Sequence, residues 1–414
     1  MKSILTIMIL LVLAGCGQSQ PTIMPDQTLA TPQIQASSTP PPAAERLVYV
    51  KTSSEQQRSE IWISNLDGSD ARVLKSCDLP CTLGLARGFN QRIVYYRIEQ
   101  NTYEVHLLNL ATQADTVFKT CNDECYAQFL ELRADAVLYE ISDMNNKELH
   151  ILSDTGRETV WNLPLDTVLY SLAPDQSHMA LIRMRGDGGI VEREQYSVWL
   201  LQRSSDEPQL LNQWTYTPSS IGWLSATQLV YSDDAVHLLT IQETRQDDII
   251  AGGELVNVRP ESSQIVVWLE PFYSDMGIDR GPSPFGVYNI NGTQATLQQR
   301  LMLNTKQLTW SPDGTRLMQR LDTQIRLTNV SDGTSNNVKT LAQPPIQAKG
   351  VGVNFVQTIW SDDDATLVYT VAIGRPDFSQ RIELRTLDLA SNVETTLESL
   401  EWDTRHQLEF VLVR

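Results

Sequence analysis

The chain has 414 residues, 41% of them hydrophobic and 20% charged, proportions that suit a folded protein with a sizeable core and exclude general disorder. Its formal net charge of -18 argues against nucleic acid and anionic lipid as partners, because both need clustered Lys and Arg.

Residues 1–16 have the form of a targeting segment. Lys2 supplies a positive start and Ile4 to Leu13 an apolar run too short to cross a bilayer core of ~30 Å as a helix. Leu13-Ala14-Gly15-Cys16 resembles the lipobox of bacterial lipoproteins. That resemblance implies a lipid on Cys16, membrane contact through that lipid only, and a place in the bacterial cell envelope facing the periplasm or the exterior. Gly17 stands where the family's retention aspartate would be, which favours an outward destination. Residues 17–45, rich in Pro, Ser, Thr and Gln, cannot bury enough apolar surface to offset their ordering entropy, so a disordered tether is expected.

From Arg46 onward one pattern recurs. Its clearest copy is Leu308 to Gly333: a short apolar strand, the turn Ser311-Pro312-Asp313-Gly314, a second strand to Leu321, a third from Gln324, and the turn Ser331-Asp332-Gly333. Proline presets φ at the second turn position, and glycine fills the last at no steric cost. The second strand returns at Arg46, Arg92, Ala136, Met179, Gln228, Gln264, Arg316 and Thr366, a period of roughly 45 residues that fits a propeller blade. Small sheets with two apolar faces need a neighbour on each side, so radial closure is expected. Ile61-Trp62-Ile63-Ser64-Asn65-Leu66-Asp67-Gly68 and Trp310-Ser311-Pro312-Asp313-Gly314 resemble the WD-like repeats of the TolB-type β-propeller, with degenerate copies at Leu172 to Asp175 and Trp360 to Asp363. The resemblance covers residues 46–414 and implies an all-β, eight-bladed β-propeller, with seven blades the alternative. The chain starts on a second strand, and Leu408 to Val413 reads as the first strand that completes blade one.

Two CxxxC pairs, Cys77 with Cys81 and Cys121 with Cys125, sit in matching loops. An exported protein favours two local disulfides there, and a four-thiolate zinc site is the competing reading. His106, His150 and His237 share one position of the third strand with Trp62, Trp199, Tyr288, Arg326 and Glu383, which points to packing between blades. Asp362-Asp363-Asp364 falls on a turn and lacks the alternating ligands of a calcium loop. A GxSxG elbow is absent, and the sequence offers no catalytic constellation, metal site or cofactor motif.

Long connections stand out at Met184 to Tyr196, Glu270 to Phe285 and Val371 to Gln380. They carry the candidate partner-binding residues Arg185, Arg193 and Tyr196; Phe272, Tyr273, Asp275, Asp279, Arg280 and Phe285; and Arg375, Asp377 and Phe378. Long loops on a rigid scaffold are commonly functional, and Tyr, Phe and Arg are frequent contact residues. The expected role is a protein-binding or scaffolding platform acting through the loop-bearing face. The competing class is a carbohydrate-binding or carbohydrate-active propeller, of lyase or hydrolase type, with a glycan as ligand. That class would show an acid-base pair from different blades in a central pocket.

Overall fold

Each repeat folds as an antiparallel meander of four strands. The computed structural model describes residues 45–413, except 54–56, 90, 101, 123–125, 133–135, 143–145, 154–156, 186–194, 204–207, 215–219, 233–234, 242–244, 260–261, 270–281, 343–352, 375–379 and 403–407. At some strand positions, Cys121 and Arg185 among them, the backbone alone is described.

Among the described residues there are eight four-stranded sheets and no helix. Blade one is β1 (Arg46–Ser53), β2 (Arg58–Asn65), β3 (Arg72–Asp78) and the C-terminal β32 (Leu408–Val413). Blade two is β4 (Thr82–Phe89), β5 (Arg92–Glu99), β6 (Thr102–Asn109) and β7 (Asp115–Asn122); blade three is β8 (Tyr126–Leu132), β9 (Ala136–Ser142), β10 (Lys147–Ser153) and β11 (Glu158–Leu163). Blade four is β12 (Thr167–Leu172), β13 (His178–Arg185), β14 (Gln195–Gln202) and β15 (Gln209–Trp214); blade five is β16 (Ser220–Ser225), β17 (Gln228–Ser232), β18 (Ala235–Thr240) and β19 (Arg245–Ala251). Blade six is β20 (Glu254–Val258), β21 (Gln264–Trp268), β22 (Ser283–Asn291) and β23 (Gln294–Leu303); blade seven is β24 (Leu308–Trp310), β25 (Arg316–Arg320), β26 (Gln324–Asn329) and β27 (Ser335–Thr340). Blade eight is β28 (Val353–Trp360), β29 (Thr366–Gly374), β30 (Gln380–Asp388) and β31 (Val393–Trp402). The protein is an eight-bladed β-propeller.

The ring closes as its repeats require. β32 pairs antiparallel with β1, setting Val411 opposite Val48 and Phe410 opposite Tyr49, so the chain's last strand becomes the innermost strand of its first blade. Alternation along β1 splits one strand between two cores. Val48 and Val50 pack with Leu83, Leu85, Ile93 and Tyr95 of blade two, while Leu47 and Tyr49 pack with Val368, Ile382 and Leu384 of blade eight. Each buried aliphatic side chain of this size contributes about 1.5–3 kcal/mol.

One irregularity repeats around the ring. Between the third and fourth strands the register slips by a residue at Ile61/Trp62, Val105/His106, Val198/Trp199, Val236/His237, Val287/Tyr288, Ile325/Arg326 and Leu384/Arg385, seven equivalent β-bulges in eight blades. Blade three pairs β10 with β11 without a slip. A bulge sets two residues against one and twists the strand. Several of the extra residues, Leu74, Leu211, Ile249, Val338 and Leu397, pack onto the cores between blades, so the bulge recovers apolar contact for the outermost strand.

Candidate functional site

The antiparallel order sorts the connections onto two faces. Links between first and second strands, and between third and fourth, leave from one end of each blade. Links between second and third strands, and from one blade to the next, leave from the other.

The first face carries tight turns. In Ser311-Pro312-Asp313-Gly314 the Gly314 amide donates to Ser311 O at 2.8 Å, and Asp313 Oδ1 accepts from the Thr315 amide at 2.9 Å and the Ser311 hydroxyl at 2.6 Å. Slight burial would raise the Asp313 carboxyl, but these hydrogen bonds outweigh it and hold it below the usual carboxylate range. Gly314 has φ +72°, and a Cβ there would collide with the Arg259 guanidinium. The degenerate copies close in the same way: Asp363 accepts from the Ala365 amide at 3.0 Å and Asp175 from the Ser177 amide at 3.0 Å. The chain also enters on this face, where Arg46 pairs with Asn65 and the Asp362 amide donates to the Glu45 carboxylate.

On the opposite face lie the ends of connections 186–194, 270–281 and 375–379 and the junction at Cys77–Cys81. That disulfide is present, joining β3 to the residue before β4, with Cys81 buried. Cys125 and the side chain of Cys121 lie outside the described residues, as do Cys16, Phe272, Tyr273, Asp275, Asp279, Arg280, Arg193, Arg375, Asp377, Phe378 and the side chain of Arg185. Two nominated contacts belong to the core instead. β22 already begins at Ser283, so Phe285 faces inward, 2% exposed, and stacks on Trp268. β14 begins at Gln195, so Tyr196 packs, 6% exposed, with Ile182 and Val198. The insertions are correspondingly shorter than their sequence boundaries imply.

The strongest polar geometry is a stack between second, third and fourth strands. In blade two the rings of Tyr95 and His106 lie 4.6 Å apart; the Tyr95 hydroxyl donates to Asp115 Oδ2 at 2.7 Å, and His106 Nδ1 meets Asp115 Oδ1 at 3.2 Å. Blade three repeats it with Tyr139, His150 and Glu158, and blade five sets Tyr231 against His237 with the rings tilted by 32°, His237 meeting Asp248 at 2.7 Å. In blade eight the register places Arg385 opposite Tyr369, with Glu394 as their shared acceptor. Arg385, two residues beyond Glu383, is therefore the true equivalent of the histidines. Burial and these hydrogen bonds push the Tyr95, Tyr139 and Tyr369 hydroxyls far above the usual tyrosine range, and burial with Glu398 nearby raises Tyr49 to about 12. Burial works to raise Asp115 and Glu394, but the ammonium groups of Lys75 and Lys339, reaching over from the preceding blade, and the tyrosine hydroxyls hold both carboxyls below their ordinary range.

Glutamate two residues earlier completes the unit, a feature missed from sequence. Glu60 accepts from Trp62 Nε1 at 2.9 Å, Glu104 and Glu148 meet His106 and His150 Nε2 at 3.3 and 2.9 Å, and Glu383 accepts from Arg385 Nε at 2.8 Å. The signal lay in the triplets Glu60-Ile61-Trp62, Glu104-Val105-His106, Glu148-Leu149-His150 and Glu383-Leu384-Arg385. His106 and His150 spend both ring nitrogens on carboxylates of their own blades, and His237 spends Nδ1 on Asp248. Among the described residues no group of three or more His, Cys, Asp or Glu side chains could hold a metal ion.

Ionisable pairs do cross between blades. Tyr96 of β5 donates to Glu409 Oε1 of β32 at 3.2 Å and the Tyr170 hydroxyl donates to Glu140 Oε2 at 3.0 Å, while Lys306, in the link from blade six to blade seven, bonds Glu254 of blade six. Burial pushes the Glu409 carboxyl above its ordinary range, against two hydrogen bonds that lower it. This is the kind of pair expected of an enzyme. Yet both Glu409 oxygens hold neighbouring strands, Oε2 accepting from the Leu85 amide at 2.8 Å, and Asn257 and Gln357 do the equivalent work at other seams without an ionisable group.

No family model matches the chain, and no curated protein matches it. Solved structures similar to it include an oligogalacturonate lyase from Vibrio parahaemolyticus, at 11% identity over 80% of this chain and 98% of that one, with a TM-score of 0.47. An oligogalacturonate lyase in complex with manganese matches at 12% identity over 72% and 92%, with a TM-score of 0.43. TolB from Acinetobacter baumannii matches at 10% identity over 81% and 84%, with a TM-score of 0.34.

Proposed function

We propose that the propeller is a binding platform that engages a protein through the face bearing connections 186–194, 270–281 and 375–379, on a chain lipid-anchored at Cys16 in the bacterial cell envelope. The carrying observation is topological: β1 begins, beside Asp362 and Asp70, on the face opposite those connections. β1 thus starts among the tight turns, which supports assigning the partner to the other face. The polar groups of the described strands support the same reading, because the carboxylates and rings around the blades are engaged with one another.

The test is a pull-down from native membranes with the mature chain and with a version whose residues 270–281 are replaced by a short Gly-Ser turn. Capture of a protein by the intact chain, lost on replacement, supports the platform. Binding of an oligosaccharide on a glycan array, or eliminative cleavage of one, with no protein captured by either version, replaces the platform with the carbohydrate reading.

A further inference from the structure

Four third strands end in asparagine: Asn65, Asn109, Asn291 and Asn329. Three of these side chains are bound into the turn that follows. Asn109 Oδ1 accepts from the Ala111 and Thr112 amides at 3.0 and 2.9 Å, Asn329 Oδ1 accepts from the Ser331 amide at 3.0 Å, and Asn65 Nδ2 donates to the Ser69 hydroxyl at 2.7 Å. Each is followed by a branched side chain, Leu66, Leu110 or Val330, that crowds the next amide nitrogen.

Blade six departs from this arrangement. Where Arg46, Arg92 and Arg316 face the terminal asparagine across the ladder, Gln264 faces Asn289, so β22 runs two residues further. It closes on β23 at the pair Asn291 and Gln294, with Gly292-Thr293 as the whole turn. Asn291 and Gly292 are both exposed, Gly292 has φ +59°, and a Cβ there would meet nothing within 4 Å. Among the described residues neither the Asn291 side chain nor the Gly292 amide makes a hydrogen bond. The Asp-Gly turns differ on both counts. The amides of Gly68, Gly314 and Gly333 donate to backbone carbonyls, and Asp67, Asp313 and Asp332 each accept from the amide two residues on.

We propose that Asn291 is a self-modification site, at which the folded chain converts its own side-chain amide to a carboxylate. The Gly292 amide nitrogen loses its proton to hydroxide and attacks Asn291 Cγ. That C–N bond forms, the bond from Cγ to the side-chain nitrogen breaks, and the nitrogen takes a proton from water and leaves as ammonia. Water then opens the cyclic imide. Cleavage at Cγ gives aspartate, and cleavage at the backbone carbonyl gives isoaspartate, with the chain running through Cβ and Cγ. One water is consumed and one ammonia released, with nothing oxidised or reduced. The attack requires the closing pair of the hairpin to open, and the end of a ladder is where opening costs least. Glycine offers no Cβ to obstruct the nitrogen and the freest backbone. Either product adds a negative charge to the face where the chain enters, and isoaspartate lengthens the backbone at the pair that closes β22 on β23.

The experiment is peptide mapping by mass spectrometry of the full folded chain, aged at neutral and at mildly alkaline pH and digested in mild acid so that digestion adds no conversion. Cleavage after Arg280 and Arg300 leaves Asn289 and Asn291 on one peptide, so Asn289, followed by Ile290, is an internal control. Asn291 should convert at least about tenfold faster than Asn289, Asn65, Asn109 and Asn329, a barrier lower by about 1.4 kcal/mol. Conversion should quicken at the higher pH, and the product should separate into aspartyl and isoaspartyl peptides. Gly292→Ala, whose Cβ enters open space, should slow it by about tenfold. Conversion of Asn291 no faster than that of Asn289, or conversion only after the chain is unfolded in urea, would overturn the proposal. The wild-type ranking alone decides the matter if the variant does not fold.

Discussion

On the face where the chain enters, the turns satisfy themselves: Asp67, Asp175, Asp313, Asp332 and Asp363 each accept the amide of the residue two places on. On the opposite face the link between second and third strands is residues 233–234 in blade five and 269–282 in blade six. The first face repeats one solution because each turn must return the chain into a strand of the same blade, and a side-chain oxygen at a fixed offset does so cheaply. The second face can lengthen without disturbing the blades, since its ends are held by strands already paired. Repetition marks structural need there, and variation marks freedom to take on a partner.

That contrast can be broken or sharpened at points of decreasing energetic weight. Phe410→Ala removes a ring buried to 2% from the strand that seals blade one, and should destabilise the chain by about 4 kcal/mol in urea unfolding. A loss below about 1 kcal/mol would mean that β32 does not seal the ring. Replacing Cys77 and Cys81 together with Ser should cost roughly 2 kcal/mol by loop entropy, and leave the tight-turn face unchanged in hydrogen exchange. Tyr139→Phe leaves the Glu158–His150 contact but deletes the hydroxyl that donates to Glu158, for about 1–2 kcal/mol. A smaller cost would show that the ring stack, and not the hydrogen bond, carries the unit.

The acid limb of stability reports the same stacks. Asp115 and Glu394 are held below their unfolded pKa values, so their contribution is present above the ordinary carboxylate range and is lost as pH falls through the lowered folded values. Lys75→Met should bring forward the acid unfolding of the chain, because the Lys75 ammonium lies 2.8 Å from Asp115. Acid unfolding at the wild-type pH would contradict the role given to that pair. Last in weight, Gly314→Ala should cost about 1 kcal/mol, since φ +72° suits glycine and Arg259 occupies the space of a Cβ.

The fold was legible because its signals are local and recur. The second strands expected from Arg46, Arg92, Ala136, Gln228, Gln264, Arg316 and Thr366 begin at those residues, and β32 closes blade one as Leu408 to Val413 suggested. Blade four differs by one residue, β13 starting at His178 where Met179 was expected. Strand ends were less legible. Phe285 and Tyr196 read as loop residues because a strand flanking a long insertion has no turn signal to mark its start, and pairing with Trp268 and Met184 reveals them as strand. The histidines were placed correctly on one repeated position, but their partners were hidden. Asp115 and Glu158 come from the fourth strand, whose register against the third is not fixed by sequence spacing: a bulge shifts it in blade two and none does in blade three. Glu383 was matched to that position because the triplet ending in Arg385 hid its equivalence behind a change of residue type.

The most direct test of the two-face account is a paired replacement in the full chain. Residues 270–281 are exchanged for a short Gly-Ser turn in one variant, and Ser331-Asp332-Gly333 for Asn-Gly in another, and both are compared with wild type for unfolding in urea and for capture of the proposed protein partner. The account predicts that the first variant unfolds within about 0.5 kcal/mol of wild type and loses the partner. The second should be the less stable and keep it. Loss of capture in the tight-turn variant alone would contradict the account and move the binding surface to the face where the chain enters.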